Sequence, residues 1–415
     1  MRIAIIGSGI SGLAAGWYLS RKHEVSLFEK EPRLGGHTNT VMVENSGDPI
    51  PVDTGFIVHN DRTYPNLVRL LSELGVETQP SDMSFSVSCR KTGFEYSSRG
   101  INGFFAQRSN LMRREHYLLL AEILRFNRTA PELLDRPGVE SATIGDVIDE
   151  GRYHKAFTDR YLLPMASAVW SMSLDSIRSF PALTLLRFFH NHGMLGINTH
   201  PKWKVIRGGS HTYIPLLTAP FRERIFVDTR ITSVSRQESS VTLNFQDRPE
   251  MTFDQVVFAC HGDQVLTLLT EPTATEYDVL GNFKTSRNLA TLHTDSSLLP
   301  RHDAARASWN YNLGLAENYA VTLTYHMNRL QSLKTVKDYC VTLNGEDAID
   351  TAKVLRTIVY HHPLYTQEAV RTQNRWSEIS GKNRTHYCGA YWFYGFHEDG
   401  LNSALRVARA LSVEC

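Results

Sequence analysis

Short apolar runs and helical spacings follow one another at the start of the chain. Residues 3–6 are an apolar run, residues 13–19 carry apolar and small side chains at helical spacing, and residues 25–28 include a second apolar run. Continuous apolar runs of this length are typical of parallel strands that are covered on both faces. The pattern therefore predicts a strand, a tight turn, a helix and a second parallel strand.

The rest of the chain changes its pattern several times. Alternation predicts a hairpin over 41–52, paired strands within 83–89 and 94–98, a second hairpin over 231–246 and further antiparallel strands between about 280 and 370. Apolar periodicity predicts a helix over 65–74, a mainly helical segment from about 111 to 192 and a last helix from about Gly400. Residues 256–259 predict another buried strand, so the fold class is α/β.

A GxGxxG motif occupies the first predicted turn. Gly7 suits a tight turn, Gly9 lets a pyrophosphate approach the backbone, and Gly12 lets the helix pack closely on the sheet. The N–H groups at the start of that helix, including those of Ile10 and Ser11, favour a phosphate. Glu29 and Lys30 come directly after the second predicted strand. Seventeen residues past Gly12, Glu29 is placed to accept from ribose hydroxyls.

An Arg-x-Gly-Gly sequence follows directly, formed by Arg33, Gly35 and Gly36. It resembles the extension of the two-dinucleotide-binding flavoproteins, such as the amine oxidase and phytoene desaturase superfamily. That resemblance implies FAD, with the arginine and the glycine backbone along its pyrophosphate. The next residue, His37, has two interpretations: a turn histidine, or a site of covalent flavin attachment.

The composition excludes several other classes. A formal net charge of +1 gives no support for nucleic-acid binding. Five scattered cysteines without CxxC spacing indicate reduced thiols and no zinc or iron–sulfur site. We find no HExxH or GxSxG motif, and no apolar run near the roughly twenty residues of a membrane helix. We therefore expect no metal and a cytoplasmic protein, with contact to the inner membrane face left open.

Four longer stretches carry a more specific resemblance: residues 56–66, 81–88, 201–203 and 394–401, the last reading YGFHEDGL. They resemble a branch of amine-oxidase-like flavoproteins that is commonly encoded beside cyclopropane-fatty-acid synthases. A similar domain is fused at the N-terminus of the plant synthases. The resemblance implies an apolar or lipid substrate, and a methyltransferase of the cyclopropane-fatty-acid synthase type as a partner.

The resemblance to the wider flavoprotein superfamily implies a domain arrangement and further cofactor residues. A Rossmann-like FAD-binding domain is expected over 1–75, 201–265 and 381–415, interleaved with an α+β substrate-binding domain over 76–200 and 266–380. The implied FAD positions beyond the first two motifs are Gly55, Phe56, Arg207, Gly208, Gly209, Ala259, Gly389, Glu398, Asp399, Gly400 and Leu401. The N–H groups of the last helix would face the flavin C2 carbonyl.

Two departures from the superfamily stand out. Ala390 stands where an acid usually holds the ribityl chain, so either Glu398 or Asp399 takes over or the contact is absent. The lysine that positions a water near the flavin N5 in amine oxidases has no convincing match. Lys202, Lys204 and Lys284 are candidates by proximity to motifs alone, which weighs against amine oxidation.

Weak candidates for catalysis are His397, Glu398, Arg62 and Tyr64. One of the first two could act as acid or base beside the flavin. The alternative is that residues 397–399 cap the last helix, with Asp399 at its N-cap. Arg62 and Tyr64 could orient a substrate headgroup, or could form an exposed turn before the helix that follows.

Residues 102–128 combine aromatic and aliphatic side chains with five arginines and two glutamates. Such a segment is typical of a helix on an anionic membrane surface, and equally of an amphipathic helix that packs on its own domain. If the substrate is a phospholipid acyl chain, the membrane interpretation gains weight.

The sequence thus predicts an FAD-dependent oxidoreductase that oxidises or desaturates a fatty-acyl or phospholipid-type substrate by hydride transfer to the flavin N5. Three alternatives stay open: an FAD-dependent isomerase of unsaturated fatty acids, a flavin amine oxidase, and a non-catalytic flavoprotein partner of a lipid methyltransferase.

Overall fold

A computed structural model describes residues 1–44, 47–196, 199–314 and 322–414. Its strands, in chain order, are β1 (Arg2–Ile6), β2 (Glu24–Phe28), β3 (Thr40–Val43), β4 (Ile50–Asp53), β5 (Val58–Asn60), β6 (Thr78–Pro80), β7 (Phe85–Cys89), β8 (Phe94–Ser97), β9 (Trp203–Ile206), β10 (Ile225–Phe226), β11 (Ile231–Arg236), β12 (Val241–Phe245), β13 (Met251–Phe253), β14 (Gln255–Phe258), β15 (Thr285–His293), β16 (Trp309–Leu313), β17 (Leu323–His326), β18 (Cys340–Leu343), β19 (Val354–Pro363) and β20 (Thr385–Tyr387).

The helices are α1 (Ile10–Leu19), α2 (Pro65–Glu73), α3 (Gly100–Phe104), α4 (Arg114–Leu133), α5 (Ile144–Glu150), α6 (Lys155–Phe157), α7 (Leu163–Trp170), α8 (Leu174–Arg178), α9 (Ala182–Asn191), α10 (Tyr213–Thr218), α11 (Gly262–Leu268), α12 (Ala274–Leu280), α13 (Met327–Leu330), α14 (Gln367–Thr372), α15 (Trp376–Ile379) and α16 (His397–Ala410). Among the described residues, no helix is both long and apolar enough to cross a membrane.

A five-stranded parallel sheet in the order β10-β2-β1-β14-β20 forms the first layer. Ile3 in β1 pairs with Val25 on one side and Gln255 on the other. The strands come from three distant parts of the chain, which confirms the predicted α/β class with a parallel sheet. Helices α1 and α16 pack together beside this sheet. Gly400 of α16 permits this close contact, since a Cβ there would lie 2.6 Å from the Ile10 side chain and 2.9 Å from the Ser11 hydroxyl of α1.

A seven-stranded mixed sheet, β19-β15-β18-β17-β16-β7-β8, forms the second large layer. β16 and β7 are parallel, and the other neighbours are antiparallel. Helices α3 to α9 lie between β8 and β9 along the chain and share an apolar core with this sheet. The predicted helical segment is thus several short helices around the long α4. The alternating pattern at 319–321 lies outside the described residues.

Smaller sheets join the two layers. β3 and β4 form the predicted hairpin, and β11-β12-β13 extends the second predicted hairpin by one strand. β9 pairs with both β5 and β6, which links segments that are between 124 and 147 residues apart in sequence. One prediction was wrong: the last helix begins at His397, one turn before Gly400, because Asp399 accepts from the N–H of Phe396 and so closes an earlier first turn. The proposed domain boundaries stay a prediction.

Candidate active site

The turn between β1 and α1 has the shape that a bound pyrophosphate needs. Gly7 has φ +105°, a conformation open mainly to glycine. A Cβ on Gly12 would overlap the carbonyl oxygen of Gly7, so the helix start packs directly on the turn. Gly9 differs from both: a Cβ there would meet nothing within 4 Å, because Gly9 borders a cavity. The first N–H groups of α1 have no acceptor within the helix.

Glu29 supports this loop from the end of β2. Its Oε2 accepts from the backbone N–H and the hydroxyl of Ser8, at 2.9 and 2.6 Å, and its Oε1 accepts from the N–H of Glu31 at 3.0 Å. Glu29 and Lys30 both line the cavity. The predicted ribose acceptor therefore also fixes the phosphate loop, a role that spacing alone did not reveal.

The Arg-x-Gly-Gly segment lies against the first glycine loop. Nη2 of Arg33 donates to the carbonyl of Gly36 at 2.8 Å, and the N–H of Gly35 donates to the carbonyl of Ser8 at 3.0 Å. A Cβ on Gly36 would lie 3.1 Å from the Cα of Gly9. The two motifs thus form one continuous wall.

His37 continues that wall and stacks on a ring that the sequence did not single out. Its ring lies 4.8 Å from the Tyr360 ring with an interplanar angle of 23°. Burial, together with the nearby His362, holds the pKa of His37 well below its usual range, so the imidazole is neutral. Its Nε2 is buried and has no protein hydrogen-bond partner.

A cavity of about 2400 Å³ runs from this wall into the second layer. It brings together most of the predicted cofactor and catalytic residues: Gly7, Gly9, Ile10, Ser11, Glu29, Lys30, Arg33, Gly36, His37, Gly55, Phe56, Tyr64, Ala259, Gly389 and His397, with Lys202 and Lys204. The following predicted residues do not line it: Arg62, Arg207, Gly208, Gly209, Lys284, Glu398, Asp399, Gly400 and Leu401, while Gly12 and Gly35 lie just behind its wall.

Several of the residues away from the wall have a clear structural role. Glu398 accepts from the N–H groups of Asn66 and Leu67, at 3.0 and 2.8 Å, and so caps α2. Asp399 accepts from the N–H of Phe396 at 2.9 Å, which caps α16 from its third position. The predicted N-cap was therefore wrong: Phe396, not Asp399, occupies that position.

The remaining residues outside the wall lie at the surface or in tight packing. Arg207 is exposed, with its Nε 3.4 Å from Glu77, and Arg62 is exposed, with its Nη1 3.4 Å from the carbonyl of Thr199. A Cβ on Gly209 would lie 2.5 Å from Thr40, and Gly400 packs on Ile10. These glycines serve close packing behind the cavity.

At the junction of the cavity's two halves, His397 stacks face to face on Phe56, with ring centroids 3.6 Å apart. Nε2 of His397 lies 2.8 Å from the Tyr213 hydroxyl and 3.3 Å from Oγ1 of Thr38. Burial, with a smaller effect of His59, lowers the pKa of His397 to about 3. A neutral ring can accept from Tyr213, but it is not a cationic acid at neutral pH.

Apolar and aromatic side chains dominate the half of the cavity away from the glycine loops. They come from β7, α3, α4, α7 and α9, and include Phe85, Phe104, Leu120, Met165, Trp170 and Phe188. The sequence marked this region as helical and apolar. It could not identify the ring of His192, which stacks on Phe188 at 3.9 Å and joins the wall directly after the end of α9.

The residues of the first half fit FAD. Gly9 offers an open approach to the backbone, the start of α1 offers free donors, and His37 offers an unpartnered buried nitrogen. The cavity is larger than the roughly 300–1,000 Å³ that a single small ligand occupies, so a dinucleotide and a substrate have room together.

Comparison with known proteins agrees with this arrangement. The family model described as flavin containing amine oxidoreductase matches residues 10–293, more than half of the chain. The chain therefore belongs to the flavin-containing amine oxidoreductases, a family of FAD-dependent enzymes. The predicted cofactor, enzyme class and amine-oxidase-like fold are confirmed.

Individual relatives are more distant. Protoporphyrinogen oxidase of Schizosaccharomyces pombe is 31% identical over 116 residues, 25% of this chain and 22% of that protein. The matches cover less than a quarter of the length of the curated relatives.

Among solved structures, cyclohexylamine oxidase from Brevibacterium oxydans is 14% identical with a TM-score of 0.68, covering 99% of this chain and 98% of that one. A fatty acid isomerase of P. acnes that produces CLA is 15% identical with a TM-score of 0.70, covering 98% of each. These structural likenesses show the fold alone.

Proposed function

We propose that this chain is an FAD-dependent oxidoreductase that oxidises or desaturates a fatty-acyl or phospholipid-type substrate. One observation carries the proposal: a single cavity joins the dinucleotide loops to a long wall of apolar side chains. An acyl chain is the kind of ligand that such a wall desolvates with little penalty.

The charges on the wall favour an acyl substrate over a cationic amine. Beyond the glycine-loop segments, the charged side chains that line the cavity are those of Arg99, Lys202, Lys204, Arg230, Arg356 and Asp82. Lys204 already pairs with Asp61 at 2.8 Å, and Asp82 accepts from Ser308. Four of these cations have no ion pair to a neighbouring acid in the described part of the chain and would attract a carboxylate or phosphate headgroup: Arg99, Lys202, Arg230 and Arg356.

When bound, FAD supplies a hydride acceptor. The chain's residues would hold it through the start of α1 and the Arg33 segment, and would shape the apolar wall that excludes water. His397, neutral and held by Tyr213, would present an uncharged ring next to the reacting region. The site would then exclude water and would carry no permanent charge where His397 stacks on Phe56.

We further propose that the chain belongs to the branch associated with cyclopropane-fatty-acid synthases. The support is the resemblance of YGFHEDGL and of residues 81–88. Both stretches contribute to the cavity, through Tyr394 to His397 and through residues 81–85. A branch-specific stretch that lines a cavity is well placed to determine the substrate.

Isomerisation of an unsaturated fatty acid is the second candidate, since a fatty acid isomerase shares the fold along 98% of both chains. The two reactions differ in outcome. An oxidase or desaturase leaves the bound flavin reduced when oxygen is absent, whereas an isomerase returns it to the oxidised state with a changed lipid.

The test is an anaerobic titration of the FAD-loaded protein with unsaturated and cyclopropane phospholipids, followed by visible absorbance and lipid analysis. We expect bleaching of the oxidised flavin. A Met165→Trp variant fills the apolar half and should lose lipid-dependent bleaching while chemical reduction of its flavin is unchanged. Leu216→Trp, at an exposed position away from the cavity, is the matched control. No bleaching and no lipid product with any acyl substrate would contradict the proposal, and bleaching with simple amines would replace it by amine oxidation.

A further inference from the structure

The cavity reaches solvent between α3 and α4. Ile101 and Leu124 line it, yet they are 82% and 46% exposed, and Leu120 lies half-buried between them on the cavity wall. Side chains that both line a cavity and face solvent mark its opening. This opening lies at the apolar half of the cavity, whereas Met42 and Val359, 51% and 46% exposed, mark another exposed stretch of the cavity lining.

Apolar side chains continue outward from this opening. Met112 is 91% exposed, Tyr117 48% and Leu111 47%. The Tyr117 hydroxyl donates to the carbonyl of Leu111, and its ring contacts Phe105 at 5.7 Å, so these residues form one surface with α3. We name Ile101, Leu111, Met112, Tyr117 and Leu124 the mouth patch. The mouth patch holds five of the fourteen large apolar side chains that are exposed among the described residues, and exposed apolar side chains gathered in this way mark an interaction site.

The surroundings of the mouth patch are strongly positive. Residues 98–128 hold six arginines and two glutamates, a net charge of +4, although the whole chain carries only +1. Both glutamates are paired with arginines: Glu122 with Arg125 at 2.6 Å and Glu115 with Arg160 at 3.1 Å. The arginines at 99, 108, 113, 114 and 128 are exposed around the patch.

We propose that the mouth patch docks on the surface of an anionic phospholipid bilayer, so that an acyl chain passes from the bilayer into the cavity. Exposed apolar side chains ringed by arginines fit a surface with negative headgroups above an apolar interior. A second copy of the chain fits less well, because a symmetric contact would bring the two arginine sets together. The docking goes beyond the proposed function and can be tested without turnover.

The experiment is cosedimentation of the oxidised, FAD-loaded protein with two kinds of vesicle, one of phosphatidylcholine alone and one of equal phosphatidylcholine and phosphatidylglycerol. We expect binding to the anionic vesicles that weakens as salt is raised. Arg113→Gln with Arg114→Gln should weaken it about five-fold for each arginine. Ile101→Ser with Met112→Ser should weaken it about ten-fold or more, through lost apolar burial.

Two control variants match these changes elsewhere on the surface. Val336→Ser with Tyr277→Ser removes exposed apolar side chains, and Arg222→Gln with Arg224→Gln removes two exposed arginines. Both controls should bind vesicles like the parent protein, and all variants should keep the parent's melting temperature. Equal binding to both vesicle types, no binding at all, or equal losses in patch and control variants would overturn the proposal. A change of oligomeric state in the patch variants without vesicle binding would assign the face to a second copy instead.

Discussion

His397 and Phe56 stack face to face, with ring centroids 3.6 Å apart and an interplanar angle of 5°. The pair fastens the first residue of α16 to the loop that follows the β3–β4 hairpin, across more than 300 residues of sequence. The N–H of Phe56 donates to the carbonyl of His37 at 2.7 Å, so the stack is continuous with the wall that begins at the glycine loops.

The hydrogen bond between Tyr213 and His397 should stabilise this junction. Tyr213→Phe removes a hydroxyl that bonds both His397 and Oγ1 of Thr38 and leaves Nε2 with the longer contact to Thr38, so we expect a loss of about 1–2 kcal/mol in the free energy of unfolding. His397→Phe with Tyr213→Phe removes both partners and should cost less than the two single changes added together. Denaturant titration of all three variants measures this, and strictly additive losses would contradict the coupling.

Gly9 provides a direct test of the cofactor site. Gly9→Val should fold like the parent, because the backbone there is extended and a Cβ meets nothing within 4 Å, yet the new side chain projects into the cavity. We expect a protein with an unchanged melting curve in the absence of FAD and at least ten-fold weaker FAD binding, as measured by calorimetry. Gly47→Val, also unobstructed but away from the cavity, should bind FAD normally. Undiminished binding in Gly9→Val would show that the pyrophosphate lies elsewhere.

Substitutions of Glu398 distinguish a structural role of this residue from a catalytic one. Because its carboxylate caps α2 through the N–H groups of Asn66 and Leu67, Glu398→Ala should lose about 0.5–2 kcal/mol of stability. Glu398→Gln keeps one acceptor oxygen and should recover part of that loss. Both variants should reduce their flavin with substrate at the parent's rate, followed by stopped-flow absorbance. A slow but fully stable Glu398→Gln variant would return Glu398 to the catalytic candidates.

The sequence predicted the parts of the site that depend on local spacing. Gly7, Gly9 and Gly12 lie within one turn, so their geometry follows from their neighbours, and the same holds for Arg33 and its two glycines. The start of α16 could also have been found, since acidic residues in the first turn are a signal of a helix start.

Contacts between residues that lie far apart along the chain could not be predicted from the sequence. Tyr360 stacks on His37 and Tyr213 bonds His397, and neither pair shares a motif or a periodicity. The capping role of Glu398 depends on backbone N–H groups more than 330 residues earlier. Such contacts depend on how the sheets and helices pack against one another, and no local pattern in a single sequence reports that packing.

The pH dependence of stability should come from two sets of buried groups with opposite signs. Burial lowers the pKa of His59, His192 and His362 to about 4 and that of His397 to about 3. Unfolded histidines titrate near 6.5, so the unfolded state binds more protons below that pH and stability falls as the pH drops from 6.5 towards 4. The histidines with a lowered pKa outnumber the buried carboxyls with a raised one, Asp53, Glu398 and Asp399, so thermal melts between pH 7 and 4.5 should show a net loss of stability.

Asp399 should act in the opposite direction, and its replacement isolates the effect. Burial raises its pKa to about 7, so the folded state holds a proton that the unfolded state releases near pH 4, and stability is lost as the pH rises from 4 to 7. Asp399→Asn keeps an acceptor for the N–H of Phe396 and removes the charge. We expect the stability of Asp399→Asn to exceed that of the parent by on the order of 1 kcal/mol at pH 8 and to match it at pH 4.

Asp82→Asn is the control of opposite sign. Burial would raise the pKa of Asp82, but hydrogen bonds from Ser308 and Ser84 outweigh this effect and hold the pKa low, so the variant should be less stable than the parent at pH 8. A difference between Asp399→Asn and the parent that is independent of pH would mean that Asp399 stays charged in the folded protein.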